Sequence, residues 1–307
     1  MTCQLLCTTE DRQSWLAARK QGIGASEIAS VLGVSPYESA LALWARKTGR
    51  VIKEENDENE LMFWGKQLED KIAKVTCDKA GAAISQLSPG VFAHADHQWM
   101  LASPDGIIHM PDAPEIPLCL EVKNINVFAA KRWQNIPEHF QLQCQQQMLV
   151  MDAPRDLWGG LIGGNWHVWD WIDRDEKECD RIVRAGAEFW KMVQEDVPPP
   201  SDGSDSAHEV AMMLAVQEQM VELFDSEVGD ILREREECEL ARKELEKEVK
   251  ALKNRATQIA DNLLLKMGGK TSAFTTTGWS ISVGTVNRKG YSVEPSSYRT
   301  VKIKAPK

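Results

Sequence analysis

Zinc-type cysteine spacing is missing from this chain. Its seven cysteines are scattered from Cys3 to Cys238 with no CxxC pair and no accompanying His cluster, so neither a zinc site nor a disulfide framework is indicated. Free thiols in a reducing compartment are the expectation. No apolar run approaches the length of a membrane span, and no basic segment followed by an apolar stretch opens the sequence, which points to a soluble, intracellular protein without membrane attachment. An excess of basic residues is also lacking: 36 Lys and Arg face 46 Asp and Glu, for a net charge of −10. That balance excludes a simple basic protein that coats polyanions, because neutralising phosphates needs clustered cations. A local basic channel remains compatible with it.

What is present is a globular composition, 307 residues with 43% hydrophobic content, enough for one large domain or two smaller ones. Residues 1–197 are mixed, Trp-rich and irregularly periodic, as expected of an α/β core. The run Pro198-Pro199-Pro200-Ser201-Asp202-Gly203-Ser204-Asp205 breaks any helix and sets a linker over 198–206. Residues 207–268 are nearly free of Gly and Pro, and Leu240, Leu245, Val249, Leu252, Ile259, Leu263 and Leu264 recur at mostly helical spacings. A long helix or helical hairpin follows, either packed on its own chain or paired with another in a coiled coil. Gly268-Gly269 ends it. Over 269–307, the alternation of Trp279, Ile281 and Val283 predicts a β-hairpin, followed by a basic tail carrying Arg288, Lys289, Arg299, Lys302, Lys304 and Lys307.

The most informative pattern is Ser103-Pro104-Asp105-Gly106 followed by Leu120-Glu121-Val122-Lys123. On a strand, Glu121 and Lys123 share one face while Val122 points to the other, into a core. Leu118, Leu120 and Val122 form the apolar side of that alternation, with Cys119, Glu121 and Lys123 opposite. Asp105 precedes the apolar pair Ile107-Ile108 of an opposing strand, and the intervening Pro111, Pro114 and Pro117 suggest a proline-rich hairpin loop. Two carboxylates and an amine across a hairpin suit a hard cation such as Mg²⁺ or Mn²⁺. A turn Asp beside an ordinary edge-strand salt bridge is the bland alternative. Charges on a largely apolar sheet face are costly unless paired or bound to metal, and this favours the metal reading.

Other segments add to this pattern. In Arg19-Lys20-Gln21-Gly22-Ile23-Gly24-Ala25-Ser26-Glu27-Ile28, the glycines loosen the backbone before a helix that Ser26 or a neighbour would cap. Free N–H groups at such a start, with Arg19 nearby, suit a phosphate; an ordinary capped helix with a solvated Arg is the simpler alternative that the segment by itself favours. Glu69, in Trp64-Gly65-Lys66-Gln67-Leu68-Glu69-Asp70, lies on a helix continuing through Ile72 and Val75, from which it would reach the metal or remain in solvent. Glu138 to Met151 reads as a helix with Gln143 and Gln147 one turn apart on a single face. It is either polar surface or a source of amides for sugar and phosphate contacts.

Taken in order, these segments resemble the YqaJ-type viral recombinase nucleases, relatives of lambda exonuclease within the PD-(D/E)xK superfamily. The likeness covers about residues 12–195, and the helical extension and terminal hairpin are similar, more loosely, to the extension of phage members. It implies an α/β fold with a restriction-endonuclease-like core: a central mixed sheet flanked by helices, followed by the long helical segment and small β-hairpin. Asp105, Glu121, the main-chain carbonyl of Val122 and Glu69 would hold one or two Mg²⁺ ions, with Mn²⁺ as a substitute. Lys123 would orient or deprotonate the attacking water. Arg19, Ser26, Ser103 and Gln143 match phosphate-holding positions. Phe140 stands where Tyr is frequent, keeping the ring without the hydroxyl. The implied activity is 5′-to-3′ digestion of double-stranded DNA ends, leaving 3′ single strands for phage-type recombination by strand annealing. The implied partners are DNA ends and a single-strand annealing protein, within a ring-shaped trimer in the cytoplasm of a bacterial host, encoded by a phage or prophage. The motif alone does not fix end dependence, so a structure- or sequence-specific endonuclease is the alternative on the same fold. A non-catalytic recombination scaffold is the alternative of a different class.

Overall fold

The computed structural model describes residues 3–9, 12–51, 60–131, 133, 135–214, 226–288 and 296–304. The chain runs β1 (Cys3–Cys7), α1 (Arg12–Arg19), β2 (Ile23–Gly24), a 3₁₀ turn (Ala25–Glu27), α2 (Ile28–Val31), α3 (Ala40–Lys47), α4 (Glu60–Ala80), β3 (Ala83–Leu87), β4 (Val91–His94), β5 (Met100–Ala102), β6 (Gly106–Met110) and β7 (Ala113–Ile125). It continues through α5 (Val127–Ala130), α6 (Glu138–Met151), β8 (Arg155–Ile162), β9 (Trp166–Asp173), α7 (Glu176–Gln194), α8 (Asp205–Leu214), α9 (Ser226–Lys266), β10 (Ser272–Phe274), β11 (Ser280–Arg288) and β12 (Ser296–Lys304). Two compact units result, Met1–Glu218 and Gln219–Lys307.

In the first unit a five-stranded sheet has the order β3-β6-β7-β8-β9, and a four-stranded sheet the order β1-β4-β5-β2. The larger sheet is mixed, because β7 and β8 pair in parallel while β3/β6, β6/β7 and β8/β9 are antiparallel. The parallel pair needs a crossover, and α5 with α6 supply it. β7 keeps the expected alternation. Leu118, Leu120 and Val122 pack with Ile72, Ala73 and Cys77 of α4 on one face. Cys119 packs with Cys144 and Met148 of α6 on the other.

Helix α6 is buried around its whole circumference from Leu142 to Met151, since Leu142, Leu149 and Val150 enter a third cluster with Ile23, Met100 and Ala102. Its amides therefore need internal partners. Gln146 donates to both Ile23 O (2.8 Å) and Leu101 O (2.9 Å), and Gln145 donates to Asp173 O and accepts from Asp175 N. The reading of this row as polar surface is corrected.

Pro114 and Pro117 lie inside β7, not in a loop; the turn is confined to the residues between Met110 and Ala113, which pair. β7 meets β8 only from Cys119 onward, so the proline-bearing half has a free edge where a missing N–H costs nothing. The first unit also extends past the expected end at residue 197. Ala207 and Val210 of α8 are buried in the cluster of Trp44 and Phe189, so the proline run turns the chain without ending the packing.

In the second unit, α9 spans 41 residues, with Leu240, Leu245, Val249, Leu252 and Ile259 exposed and Arg242 paired to Glu239 and Glu246. The expected hairpin is a three-stranded antiparallel sheet, β10-β11-β12. Lys289 and Lys307 of the basic tail lie outside the described residues, as does the stretch 215–225 of the expected helical segment.

Gly159 of β8 marks where α4 presses closest on the sheet: a Cβ there would sit 2.2 Å from Thr76 Oγ1 and 2.8 Å from its Cγ2. Gly159→Ala should destabilise the protein by about 1–3 kcal/mol, measured by urea unfolding, with Thr76→Ala in the same chain restoring part of the loss.

Candidate nuclease centre

The turn entering β6 and the middle of β7 bring the expected residues together. Gly106 pairs with Leu120, which places Asp105 beside Glu121 across the hairpin. Asp105 Oδ2 accepts from Val122 N at 2.8 Å. Glu121 is 1% exposed, and each of its carboxylate oxygens is held separately: Lys123 Nζ donates to Oε1, and Gln147 Nε2 donates to Oε2 at 2.6 Å. Lys123 Nζ also lies 5.7 Å from the centre of the Phe140 ring. The aromatic ring at that position thus has a use without a hydroxyl, since its π face attracts the cation.

The electrostatics follow from crowding like charges around the buried Glu121. Burial, and then the charge of Glu121, push the Asp105 carboxyl well above its ordinary value, with Glu69 adding to the repulsion. Glu69 is raised as well, first by burial and then by Glu121, against the lowering effect of its hydrogen bond from Ser88 Oγ at 3.3 Å. Burial alone would lower Lys123, but Glu121 and Asp105 outweigh it and hold the ammonium charged. Three carboxylates thus face one cation. Among the described residues no group of three or more His, Cys, Asp or Glu is already gathered at metal-liganding spacing. The donors present are nonetheless oxygens with surplus negative charge, which is the chemistry a hard divalent cation requires.

The other expected residues divide into two groups. Arg19 and Ser26 do meet: Arg19 Nη2 donates to Ser26 Oγ at 3.1 Å, with the guanidinium 4.6 Å from the Trp15 ring centre. Ser26 is therefore not a helix cap. The segment begins with a 3₁₀ turn, and it is Glu27 Oε2 that accepts from Gly24 N at 2.7 Å. Glu27 also pairs with Lys47 at 2.7 Å and Arg46 at 3.0 Å, and only at 3.9 Å with Arg19. Burial would raise Glu27, but Lys47, Arg19 and Arg46 outweigh it and hold it low. Arg46 and Lys47 are largely absorbed by this pairing, and Arg19 is left with donors for an anion. Gly22 is required by contact, because a Cβ would lie 2.2 Å from Trp99 O, to which Ile23 N donates at 2.6 Å.

Ser103 is half-buried two residues before Asp105, and Gln143 is buried on α6 one turn before Gln147. Gln147 holds Glu121. Sequence reasoning also missed Ser88, Trp15 and Glu27. The one available signal for Gln147 was its place a turn beyond Gln143 on the same face.

Residues 14–154 match the YqaJ-like viral recombinase domain. This YqaJ-like segment contains Arg19, Ser26, Glu69, Ser103, Asp105, Glu121, Lys123, Gln143 and Gln147. The protein YqaJ of Bacillus subtilis (strain 168) is 32% identical over 203 residues, which cover 64% of this chain and 61% of that protein's length. The chain also resembles an alkaline exonuclease, LHK-Exo, from Laribacter hongkongensis, with a TM-score of 0.51 and 18% identity over 60% of this chain and 94% of the other. The dAMP complex of that enzyme gives a TM-score of 0.51 at 19% identity, with the same coverage. The chain thus shares the fold of that structure, a mixed sheet flanked by helices as the motif order implied.

Beside the centre, on the α6 side of the sheet, Asp156 pairs in register with Cys119 and is fully buried. Its carboxyl oxygens have no nitrogen or oxygen donor among the described residues, and only the Cys144 thiol, a weak donor, stands beside them. Burial, then the Glu121 charge, push it well above its ordinary value of 3.8. A carboxyl raised on folding stabilises the fold below the unfolded pKa, and this contribution is lost as pH rises through the folded value. Wild-type stability should therefore fall with pH above about 4 relative to Asp156→Asn, by about 1.4 kcal/mol per pH unit across that window. Urea unfolding at stepped pH checks this; parallel curves for the two proteins would refute it.

Proposed function

We propose that this chain is a divalent-metal-dependent 5′-to-3′ exonuclease that degrades double-stranded DNA from its ends. The observation that carries the reading is the buried Glu121, split between Lys123 and Gln147 and flanked by Asp105 and Glu69, inside a YqaJ-like domain with the alkaline exonuclease fold.

Asp105, Glu121, Glu69 and the carbonyl of Val122 would hold Mg²⁺. The bound ion would supply Lewis-acid polarisation of the scissile phosphate and acidify an attacking water. Lys123, kept charged by its carboxylate neighbours, acts as a fixed cation beside the phosphoryl group in preference to a base. Arg19 and Ser26, which are in hydrogen-bond contact while Arg19 lies over the Trp15 ring, would form a donor pair for a terminal phosphate. Ser103 and Gln143 would contact the sugar–phosphate backbone without reading bases.

Linear duplex DNA labelled at each 5′ end should release label only with Mg²⁺ or Mn²⁺, and Lys123→Ala should slow release by about 10²-fold or more. Cutting of covalently closed circular DNA would instead indicate an endonuclease. Arg19→Ala should reduce the preference for 5′-phosphorylated over 5′-hydroxyl ends by about tenfold, as measured by initial rates on the two substrates. An unchanged preference would remove Arg19 from end recognition.

A further inference from the structure

Ser88 follows β3 directly and has a backbone φ of +43°, a left-handed conformation that a non-glycine residue rarely adopts. It also precedes Pro89, which narrows its backbone choices further. Three hydrogen bonds hold it there. Its N–H donates to Asp105 O at 2.8 Å, its carbonyl accepts from Thr9 Oγ1 at 2.9 Å, and its hydroxyl donates to Glu69 Oε1 at 3.3 Å. The first two use backbone atoms and would survive any side chain. The third needs the hydroxyl. Glycine would relieve the strain and keep both backbone bonds, so the serine side chain works against the fold for the sake of its contact with Glu69.

From this we infer that Ser88 is a positioning residue for metal binding: it fixes the carboxylate of Glu69, on α4, relative to Asp105, whose main chain it grips from the same residue. The inference rests on the metal-dependent reading above. Ser88 touches neither ion nor substrate; it aligns a ligand carried by a helix with ligands carried by the hairpin, as outer-sphere hydrogen bonds do in metal sites.

The test is calorimetric titration of Mn²⁺ into the full chain without DNA, together with thermal unfolding, for wild type, Ser88→Gly and Ser88→Asn. Ser88→Gly should bind Mn²⁺ about tenfold more weakly while unfolding at the same or a higher temperature. Asn tolerates the left-handed region and retains a donor, so Ser88→Asn should return the affinity to within about threefold of wild type. Opposite movements of affinity and stability cannot come from general damage. Mn²⁺ binding by Ser88→Gly within about twofold of wild type would overturn the proposal, as would a lowered unfolding temperature in that variant. Absence of Mn²⁺ binding by the wild type would remove the metal reading itself, a different result from equal binding by both.

Discussion

The amide of Gln147 on the carboxylate of Glu121 is the contact on which the rest of the first unit turns. A carboxylate in an apolar interior is tolerated only when its oxygens are individually satisfied, and here one oxygen is held by an ammonium from the same strand and the other by an amide from a helix. The donor has to be on α6, which is the segment that links the parallel strands β7 and β8. One residue earlier, Gln146 holds the carbonyls of Ile23 and Leu101. Adjacent side chains on one helical turn thereby connect the Arg19–Ser26 grip to the carboxylate centre, and two sheets without a shared strand are kept in register.

Much of this was legible in the residues. The alternation through Leu118–Lys123 correctly assigned faces to Val122 and Glu121, because a period of two admits one assignment once a core lies on one side. The limits of α6 at Glu138 and Met151 were equally clear. Its partners were not. A helix buried on every side offers no polar face from which to choose, so spacing alone did not show that Gln147 meets Glu121, which follows from the tertiary position of β7. Ser88 carries no sequence mark, since a left-handed serine is an exception to the residue preferences that make such positions readable.

The boundary of the first unit was hidden for a related reason. Proline and aspartate at 198–205 report that the helix stops, which they do, but they contain no information on whether the next helix returns to the core. Ala207 and Val210 do return, against Trp44 and Phe189. Likewise, Pro114 and Pro117 mark a place where a ladder lacks a neighbour, and this is as true of a free strand edge as of a loop.

The parallel pairing of β7 with β8 also governs when the centre can exist. Glu121 and Lys123 leave the ribosome well before Gln147 and before Trp158 and Gly160, their partners across the ladder. Until the crossover is complete, these charges remain in water, where they are stable as an open chain and have no shaped surroundings. Parallel contacts of this kind form late, because the loop between them must close first. The centre therefore depends on the crossover, and a growing or truncated chain ending before β8 holds every expected residue up to Gln147 without the β8 side of the site.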